Sequence, residues 1–245
     1  MRPLLFRWRN IEVWSYPAML YVGLVAGIVI GNAVVHRAAI DPLRVYVATL
    51  ILIVPALAGA RLQYVFTHWN RYRSNPRMIW NRRDSGFSMY GGLPAALVVS
   101  IPLLRLLRLN SAAFWDVAAF TILTGMIFTR IGCFLHGCCV GRASDSWFTF
   151  YLPNQQGIWR RRVPSQLLEA AWAALLLLAA VVLRSRVTTP GMLFLLMAAA
   201  YACGRLGMEF TRERNPHSTT FNWAHGFSLI TLLSSVLLLA NLWRN

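Results

Sequence analysis

Three arginines lie inside long apolar stretches of this sequence, where charged side chains are rare. Arg130 lies in the Gly- and Cys-rich run 129–142, and Arg61 and Arg205 also have apolar surroundings. A charge at membrane depth is costly and is usually retained because it faces an internal polar site. The guanidinium stays protonated and matches the geometry of a phosphate. Arginines that converge in a bilayer therefore indicate a site for a phospholipid headgroup.

A late segment of the chain carries four polar residues at helical spacing. They occur at i, i+4, i+8 and i+11: Tyr201, Arg205, Glu209 and Arg212. This spacing predicts that all four lie on one face of a helix. Arg205 and Glu209 can pair there, which lowers the cost of both charges in lipid. A purely structural ion pair is the alternative interpretation of Glu209.

A glycine pair, Gly91-Gly92, opens another apolar run. Without Cβ atoms, its backbone N–H groups can come close to an anion at the positive end of a helix. Tyr90, directly before the pair, can offer its phenol to a reacting group. A tight loop-to-helix entry with an interfacial tyrosine explains the same residues without any chemistry.

A proline opens a further apolar run. Pro164 is followed by Ser165 and Gln166, which is typical of a helix start. Glu169 falls one turn inside the predicted helix and is placed to pair with an arginine. Helix capping and a functional site are both compatible with these residues.

The run that contains Arg130 also contains several potential metal ligands, namely Cys133, His136, Cys138 and Cys139. Their spacing is not that of a zinc finger or ribbon. We therefore predict no metal and no cofactor, and we interpret the cysteines as small packing residues at a tight turn. A disulfide within this loop is the alternative interpretation if the loop faces an oxidising compartment.

Glycines recur in the same run at intervals of five and four residues: Gly132, Gly137 and Gly141. They predict a helix that breaks and turns at membrane depth, which is tolerated where the backbone lines a protein cavity. Arg130 would then point into that cavity. The alternative is an arginine that extends from the helix end to the membrane interface.

Composition identifies a membrane protein. The chain has 245 residues, of which 57% are hydrophobic and only 13% are charged. We expect one domain over residues 1–245. The net charge is +16 and all 24 basic residues are arginine, which indicates attraction to anionic lipid or the codon usage of a GC-rich genome. Nucleic acid is not an expected partner, because the arginines form no continuous basic face.

The apolar runs predict about seven transmembrane helices and an all-α polytopic fold around a central lipid-binding cavity. The predicted spans are 14–35, 43–67, 88–107, 112–131, 166–183, 190–210 and 222–243. The first is interpreted as a retained helix and not as a removed signal peptide. Arginines number fourteen on the N-terminal side of these spans and seven on the other. By the positive-inside rule, this count predicts a cytoplasmic N-terminus.

The four motifs, in this order and over nearly the whole chain, resemble the bacterial prolipoprotein diacylglyceryl transferase family. Gly91-Gly92-Leu93 is similar to the family's glycine-glycine-leucine motif. The run 129–137 is similar to its arginine signature, and 163–167 is similar to its His-Pro-Ser-Gln-Leu motif. The late segment 201–212 is similar to its Tyr-Gly-x-x-Arg…Glu-Phe-x-Arg motif.

The resemblance implies an enzyme of the bacterial cytoplasmic (inner) membrane that acts in lipoprotein biosynthesis. Phosphatidylglycerol, or another anionic phospholipid, would donate its diacylglyceryl group to the lipobox cysteine of a lipoprotein precursor peptide. Arg130 and Arg205 would hold the leaving phosphate, with Arg61 lining the same cavity. The resemblance also implies an external N-terminus and a periplasmic site, against the arginine count.

Several positions depart from the family pattern. Tyr90 and Val163 stand where the family has histidines, and Cys133 stands where it has an asparagine. The pair Cys138-Cys139 replaces an acidic residue. A tyrosine has a pKa near 10 and is a poor base unless nearby arginines depress it. The phosphate-binding residues are therefore retained while the proton-handling residues are changed. A phospholipid-binding protein without chemistry, or a paralogue with another acceptor, is the alternative function.

Overall fold

The computed structural model describes residues 4–8, 11–35, 40–80, 89–153, 157–212 and 223–244. Within these ranges, eight α-helices form most of the chain: α1 (Ser15–Val35), α2 (Pro42–Thr67), α3 (Trp69–Arg73), α4 (Met89–Leu106), α5 (Ser111–His136), α6 (Ser165–Leu183), α7 (Met192–Glu209) and α8 (Trp223–Arg244). The strands form two short antiparallel hairpins: β1 (Leu4–Trp8) with β2 (Ile11–Trp14), and β3 (Phe150–Pro153) with β4 (Trp159–Arg162).

Six of the helices are long and apolar enough to cross a membrane: α1, α2, α5, α6, α7 and α8. The third predicted span corresponds to α4, whose apolar part, Gly91–Leu106, is shorter than the other six. An all-α polytopic membrane protein is thus confirmed. The two hairpins were not predicted, because their strands are only four or five residues long.

The chain divides into two compact units by its internal contacts. One unit consists of 1–34 and 115–245, and the other consists of 35–114. In the smaller unit, α2 packs along α4. A Cβ on Gly91 would collide with the carbonyl oxygen of Gly59, and a Cβ on Gly92 would lie 3.0 Å from the carbonyl oxygen of Ala56. The glycine pair therefore allows close packing of the two helices.

In the larger unit, α1 packs against α5 through glycines spaced four residues apart. A Cβ on Gly23 would lie 2.8 Å from the Cβ of Phe128, and a Cβ on Gly27 would lie 2.7 Å from the carbonyl oxygen of Thr121. The Thr121 hydroxyl donates a hydrogen bond to the Gly27 carbonyl at 3.0 Å. Small residues at this spacing let membrane helices approach closely, since packing and not the hydrophobic effect drives their association.

Apolar side chains join α5, α6 and α7 in the larger unit. The fully buried members of this cluster are Phe120, Leu123, Leu176, Ala180, Leu193 and Met197. The cluster fixes the relative position of the three helices that carry the candidate site residues described below.

The predicted break at the end of α5 is confirmed at Gly137 and is wrong at Gly132. The helix continues through Gly132 and ends at His136, and the chain turns at Gly137, whose φ is +86°. A Cβ on Gly132 would lie 2.9 Å from the Cβ of Met19, so this glycine allows α1 to pack closely. Gly137 has the left-handed conformation that commonly ends a helix.

The N-terminus of α7 is capped by a distant side chain. The Asp116 carboxylate, on α5, accepts hydrogen bonds from the backbone N–H groups of Gly191 at 2.7 Å and Phe194 at 2.8 Å. A carboxylate at this position satisfies helix N–H groups that have no partner within the helix, and it interacts favourably with the helix dipole.

We expect Asp116→Ala to lower the free energy of unfolding by about 1–2 kcal/mol, because two helix N–H groups lose their acceptor. Thermal unfolding in detergent should show a melting temperature lower by about 2–8 °C. Asp116→Asn keeps one acceptor oxygen and should lower the melting temperature by less than Asp116→Ala does. Asp145→Ala, in an exposed loop, is the control and should melt like the unchanged chain. Equal melting temperatures for Asp116→Ala and Asp145→Ala would contradict the capping role.

Candidate active site

One buried carboxylate joins two arginines in the larger unit. Glu169, on α6, has one oxygen 2.7 Å from Nε of Arg130 and the other 2.6 Å from Nη2 of Arg212. The side chain of Glu169 is only 2% exposed and that of Arg130 is 10% exposed. The predicted pairing of Glu169 with an arginine is confirmed. Because two guanidinium groups share one carboxylate, the three side chains together carry one excess positive charge.

A second ion pair lies on α7. Arg205 Nη1 is 2.6 Å from Glu209 Oε2, and both residues are buried. This confirms the pairing that the i, i+4 spacing predicts. Tyr201, one turn earlier, interacts electrostatically with Arg130. The prediction that Arg212 shares the helix face is wrong, because α7 ends at Glu209. Arg212 instead reaches Glu169 from the segment after the helix.

Backbone hydrogen bonds tie together three segments around this site. The N–H of Gly141 donates to the Val163 carbonyl at 3.0 Å, and the N–H of Val163 donates to the Arg142 carbonyl at 3.1 Å. The N–H of Arg142 in turn donates to the Thr211 carbonyl at 2.8 Å. The segment after α5, the entry to α6 and the exit of α7 therefore meet at Gly141 and Arg142.

Ser165 and Gln166 strengthen this junction from the first turn of α6. The hydroxyl oxygens of Ser165 and Thr211 are 3.0 Å apart, and the Gln166 amide nitrogen donates to the Cys138 carbonyl at 2.6 Å. Both residues are buried, and α6 begins at Ser165 directly after Pro164. The predicted helix start is confirmed. The amide oxygen of Gln166 has no hydrogen-bond partner within the part of the chain that the structure describes.

Three cysteines converge at the end of α5. The sulfur atoms of Cys133, Cys138 and Cys139 all lie within 4.8 Å of one another, and all three are free thiols. Cys139 has a φ of +59°, in the left-handed region that non-glycine residues rarely adopt. Hydrogen bonds from the Cys133 and Cys138 thiols lower the pKa of the Cys139 thiol, and the charges of Arg212 and Arg130 act in the same direction. His136 is not part of the sulfur cluster.

Sequence reasoning missed one buried arginine. Arg162, the last residue of β4, is 2% exposed and has interacting partners. In the sequence it appears only as the third member of the run 160–162 in a connecting segment. Its pairing with Ala143 in the backbone bridge brings it to the junction. The strand was too short to predict, and its burial does not alternate, since Arg160 and Arg161 are both exposed.

Other predicted site residues lie in the smaller unit. The Arg61 guanidinium donates to the Ile79 carbonyl from Nε at 3.1 Å and from Nη2 at 2.9 Å. It also lies over the rings of Tyr64 and Tyr72, 5.8 and 5.6 Å from their centroids. The Tyr90 side chain lies outside the described residues, so its predicted role stays a prediction. The same holds for anion binding by Gly91-Gly92, whose observed contacts are those of helix packing.

One known family matches nearly the whole chain. The chain matches the family described as prolipoprotein diacylglyceryl transferase over residues 3–243. The chain belongs to this family. Membership confirms the resemblance and the prediction of a membrane enzyme for diacylglyceryl transfer.

Relatives in this transferase family share low sequence identity with the chain over nearly its whole length. Three of them bear the name phosphatidylglycerol–prolipoprotein diacylglyceryl transferase. The protein of Geobacter sulfurreducens is 29% identical over 246 residues, which cover 98% of this chain and 92% of the relative. That of Dehalococcoides mccartyi is 27% identical over 238 residues, covering 96% and 91%. That of a Clostridium botulinum strain is 24% identical over 253 residues, covering both chains completely.

We expect Gly141→Ala to destabilise this transferase-family chain, because the junction has no room for a Cβ. That atom would lie 2.5 Å from Ser165 Oγ and 2.7 Å from the Thr211 carbonyl oxygen, and it would collide with the Val163 carbonyl. Overpacking of this kind costs about 1–3 kcal/mol. Thermal unfolding in detergent should therefore occur about 3–10 °C lower.

Gly207→Ala is the matched control for Gly141→Ala. A Cβ at Gly207 would meet no atom within 4 Å, and the position is helical. Alanine is favoured over glycine in a helix, so this variant should melt at the same or a slightly higher temperature. A melting temperature of Gly141→Ala equal to that of Gly207→Ala would disprove the steric argument.

Proposed function

We propose that this chain transfers the diacylglyceryl group of phosphatidylglycerol to the cysteine thiol of a lipoprotein precursor, at the site around Arg130, Arg205 and Arg212. The name of the family and those of the relatives support the reaction. The location of the site on this chain is supported by its buried charges.

The observation that carries this assignment is an excess of buried positive charge. The buried Arg130 and the partly buried Arg212 share the single carboxylate of Glu169, so this group carries one more positive than negative charge. Uncompensated charge is costly in a low-dielectric surrounding. An anionic ligand such as a phosphodiester would offset that cost, and arginine is the side chain best suited to hold it.

The chemistry of the reaction needs such a site. The thiol sulfur forms a bond to a glycerol carbon of the donor, and the bond from that carbon to a phosphate oxygen breaks. Glycerol phosphate leaves with an additional negative charge, and the thiol proton passes to a base. Fixed positive donors stabilise the charge that develops on the leaving oxygen, and such preorganised stabilisation is usually the largest catalytic contribution.

Further residues of the larger unit would position the donor. The amide oxygen of Gln166 is buried without a partner among the described residues, one turn before Glu169 on α6, and can accept a hydrogen bond from a glycerol hydroxyl. Ser165 keeps the entry of α6 in place through Thr211. Tyr201 contributes through its interaction with Arg130. A central lipid-binding cavity in a single transferase domain remains part of the proposal.

The smaller unit enters the proposal through sequence alone. Tyr90 would accept the thiol proton in place of the family's histidine. Arg61 and the Gly91-Gly92 backbone would provide additional contacts to the phosphate. A free thiol has a pKa near 8.5, so a base or a positive field must favour the thiolate at neutral pH.

The decisive experiment measures transfer of labelled diacylglyceryl from phosphatidylglycerol vesicles to a lipobox peptide by the purified chain. We expect Arg130→Ala to lower kcat/KM by about 100-fold or more, as for the loss of one stabilising donor. Arg130→Lys keeps the charge but loses the planar fork, so its rate should be intermediate. Undiminished turnover by Arg130→Ala would exclude this assignment.

Two measurements control for trivial explanations of that loss. Arg186→Ala removes a positive charge at an exposed position between α6 and α7 and should leave the rate unchanged. Thermal unfolding of each variant shows whether the fold is retained. A folded chain that binds phosphatidylglycerol but yields no product with this peptide would favour another acceptor or a binding protein.

We also propose that the chain resides in the bacterial inner membrane with the site facing the periplasm. Ser146, before α6, and Ser185, after it, are exposed at opposite ends of this helix. We expect Ser146→Cys to react with a membrane-impermeant maleimide in intact spheroplasts, above the labelling of the unchanged chain. Ser185→Cys should react only after lysis. The reverse pattern would place the site on the cytoplasmic side, as the arginine count predicts.

A further inference from the structure

We propose that Cys133, Cys138 and Cys139 form a binding site for a thiophilic divalent cation of the Zn²⁺ class, beside the buried arginines. This inference does not depend on the proposed reaction. It reverses the expectation from the sequence, where the spacing of the cysteines argued against a metal.

The arrangement of the sulfur atoms is the first reason. All three lie within 4.8 Å of one another. Three thiolates bound to one Zn²⁺ at about 2.3 Å are separated by roughly 3.8–4.0 Å, so small side-chain rotations would complete the site. The spacing of the ligands in the sequence fails to match a finger or ribbon because the end of a membrane helix, and not a zinc-binding loop, brings the sulfurs together. Cys133 lies in the last turn of α5 and the other two follow the turn at Gly137.

The backbone provides the second reason. Cys139 has a positive φ of +59°, which side chains other than glycine rarely adopt. Residues in such conformations cluster at functional sites, where the surrounding structure enforces them. If Cys139 only filled space at this turn, a glycine would adopt the same backbone conformation without strain. The observed conformation instead brings a third sulfur to the two others.

Charge provides the third reason. Three thiolates and one divalent cation together carry a charge of −1. The neighbouring group of Arg130, Arg212 and Glu169 carries +1, so a singly negative metal site next to it is electrostatically favoured. A monovalent cation would raise the negative charge of the metal site to −2, which costs more in the same buried surrounding. A divalent ion therefore fits better than Cu⁺, although both prefer sulfur ligands.

The proposed site has three protein ligands and thus an open fourth position. Structural zinc sites are usually closed by four protein ligands, whereas three ligands leave room for water or another donor. The Cys138 carbonyl, which accepts from Gln166 at 2.6 Å, links the metal-binding segment to the first turn of α6. Metal binding should therefore also stabilise the junction of α5 and α6.

Cobalt titration of the full chain in detergent tests this proposal. The chain is first treated with a chelator and a non-thiol reductant. We expect one equivalent of Co²⁺ to produce a sulfur-to-cobalt charge-transfer absorption, and Zn²⁺ to displace the cobalt. Cys138→Ser and Cys139→Ser should each weaken Co²⁺ binding by more than about 100-fold, because loss of a direct ligand exceeds the effect of an outer-shell change.

Cys203 provides the matched control. It is the remaining cysteine, lies exposed on α7 and is not part of the sulfur cluster. Cys203→Ser should bind Co²⁺ like the unchanged chain. The proposal is overturned if the charge-transfer absorption is absent in the unchanged chain. It is also overturned if the absorption persists in Cys139→Ser or disappears in Cys203→Ser.

A second measurement needs no variant and therefore does not depend on the folding of a mutant. Alkylation of the unchanged chain, followed by mass spectrometry, compares each cysteine with and without Zn²⁺. We expect at least tenfold protection of Cys133, Cys138 and Cys139, with Cys203 unchanged. Equal protection of all four residues, none at all, or a disulfide within the cluster in protein alkylated directly in cells would contradict the site.

Discussion

The carboxylate of Glu169 is the group on which the candidate site depends. It lies on α6, yet each of its oxygens binds an arginine from a different part of the chain, Arg130 on α5 and Arg212 after α7. Removal of one partner from a buried ion pair typically costs 3–5 kcal/mol, because an uncompensated charge stays in a low-dielectric surrounding. One acidic side chain thus holds three segments together and sets the positions of two guanidinium groups.

The backbone junction at Gly141 and Arg142 serves the same purpose by other means. Its hydrogen bonds have no charge and are independent of the protonation of any side chain. They connect the segments that carry Arg130, Ser165 and Arg212, so that the charged groups meet with little freedom. Preorganisation of this kind avoids the rearrangement that a flexible site would need when charge develops on a substrate. It also explains why a residue without a side chain occupies the centre of the junction.

Much of this architecture could be predicted from the sequence. Helix type follows from the long apolar runs, and the Arg205–Glu209 pair follows from an i, i+4 spacing on one helix. Contacts between distant segments could not be predicted in this way. The two partners of Glu169 and the burial of Arg162 depend on how helices pack and on short strands that leave only a weak sequence pattern. The convergence of three sulfurs depends on where α5 ends. The sequence predicted the end of this span at residue 131, whereas the helix continues to His136.

The wide separation of these partners in the sequence has a consequence for biosynthesis. Arg212 follows Glu169 by 43 residues. At ~5–20 residues per second, about 2–9 seconds pass between the synthesis of the two. An Arg130–Glu169 pair formed in that interval is neutral, and a neutral pair costs less in the membrane than a charged triad. The excess positive charge arises only when the end of α7 emerges, so the insertion of the chain is nearly complete before its most costly group is assembled.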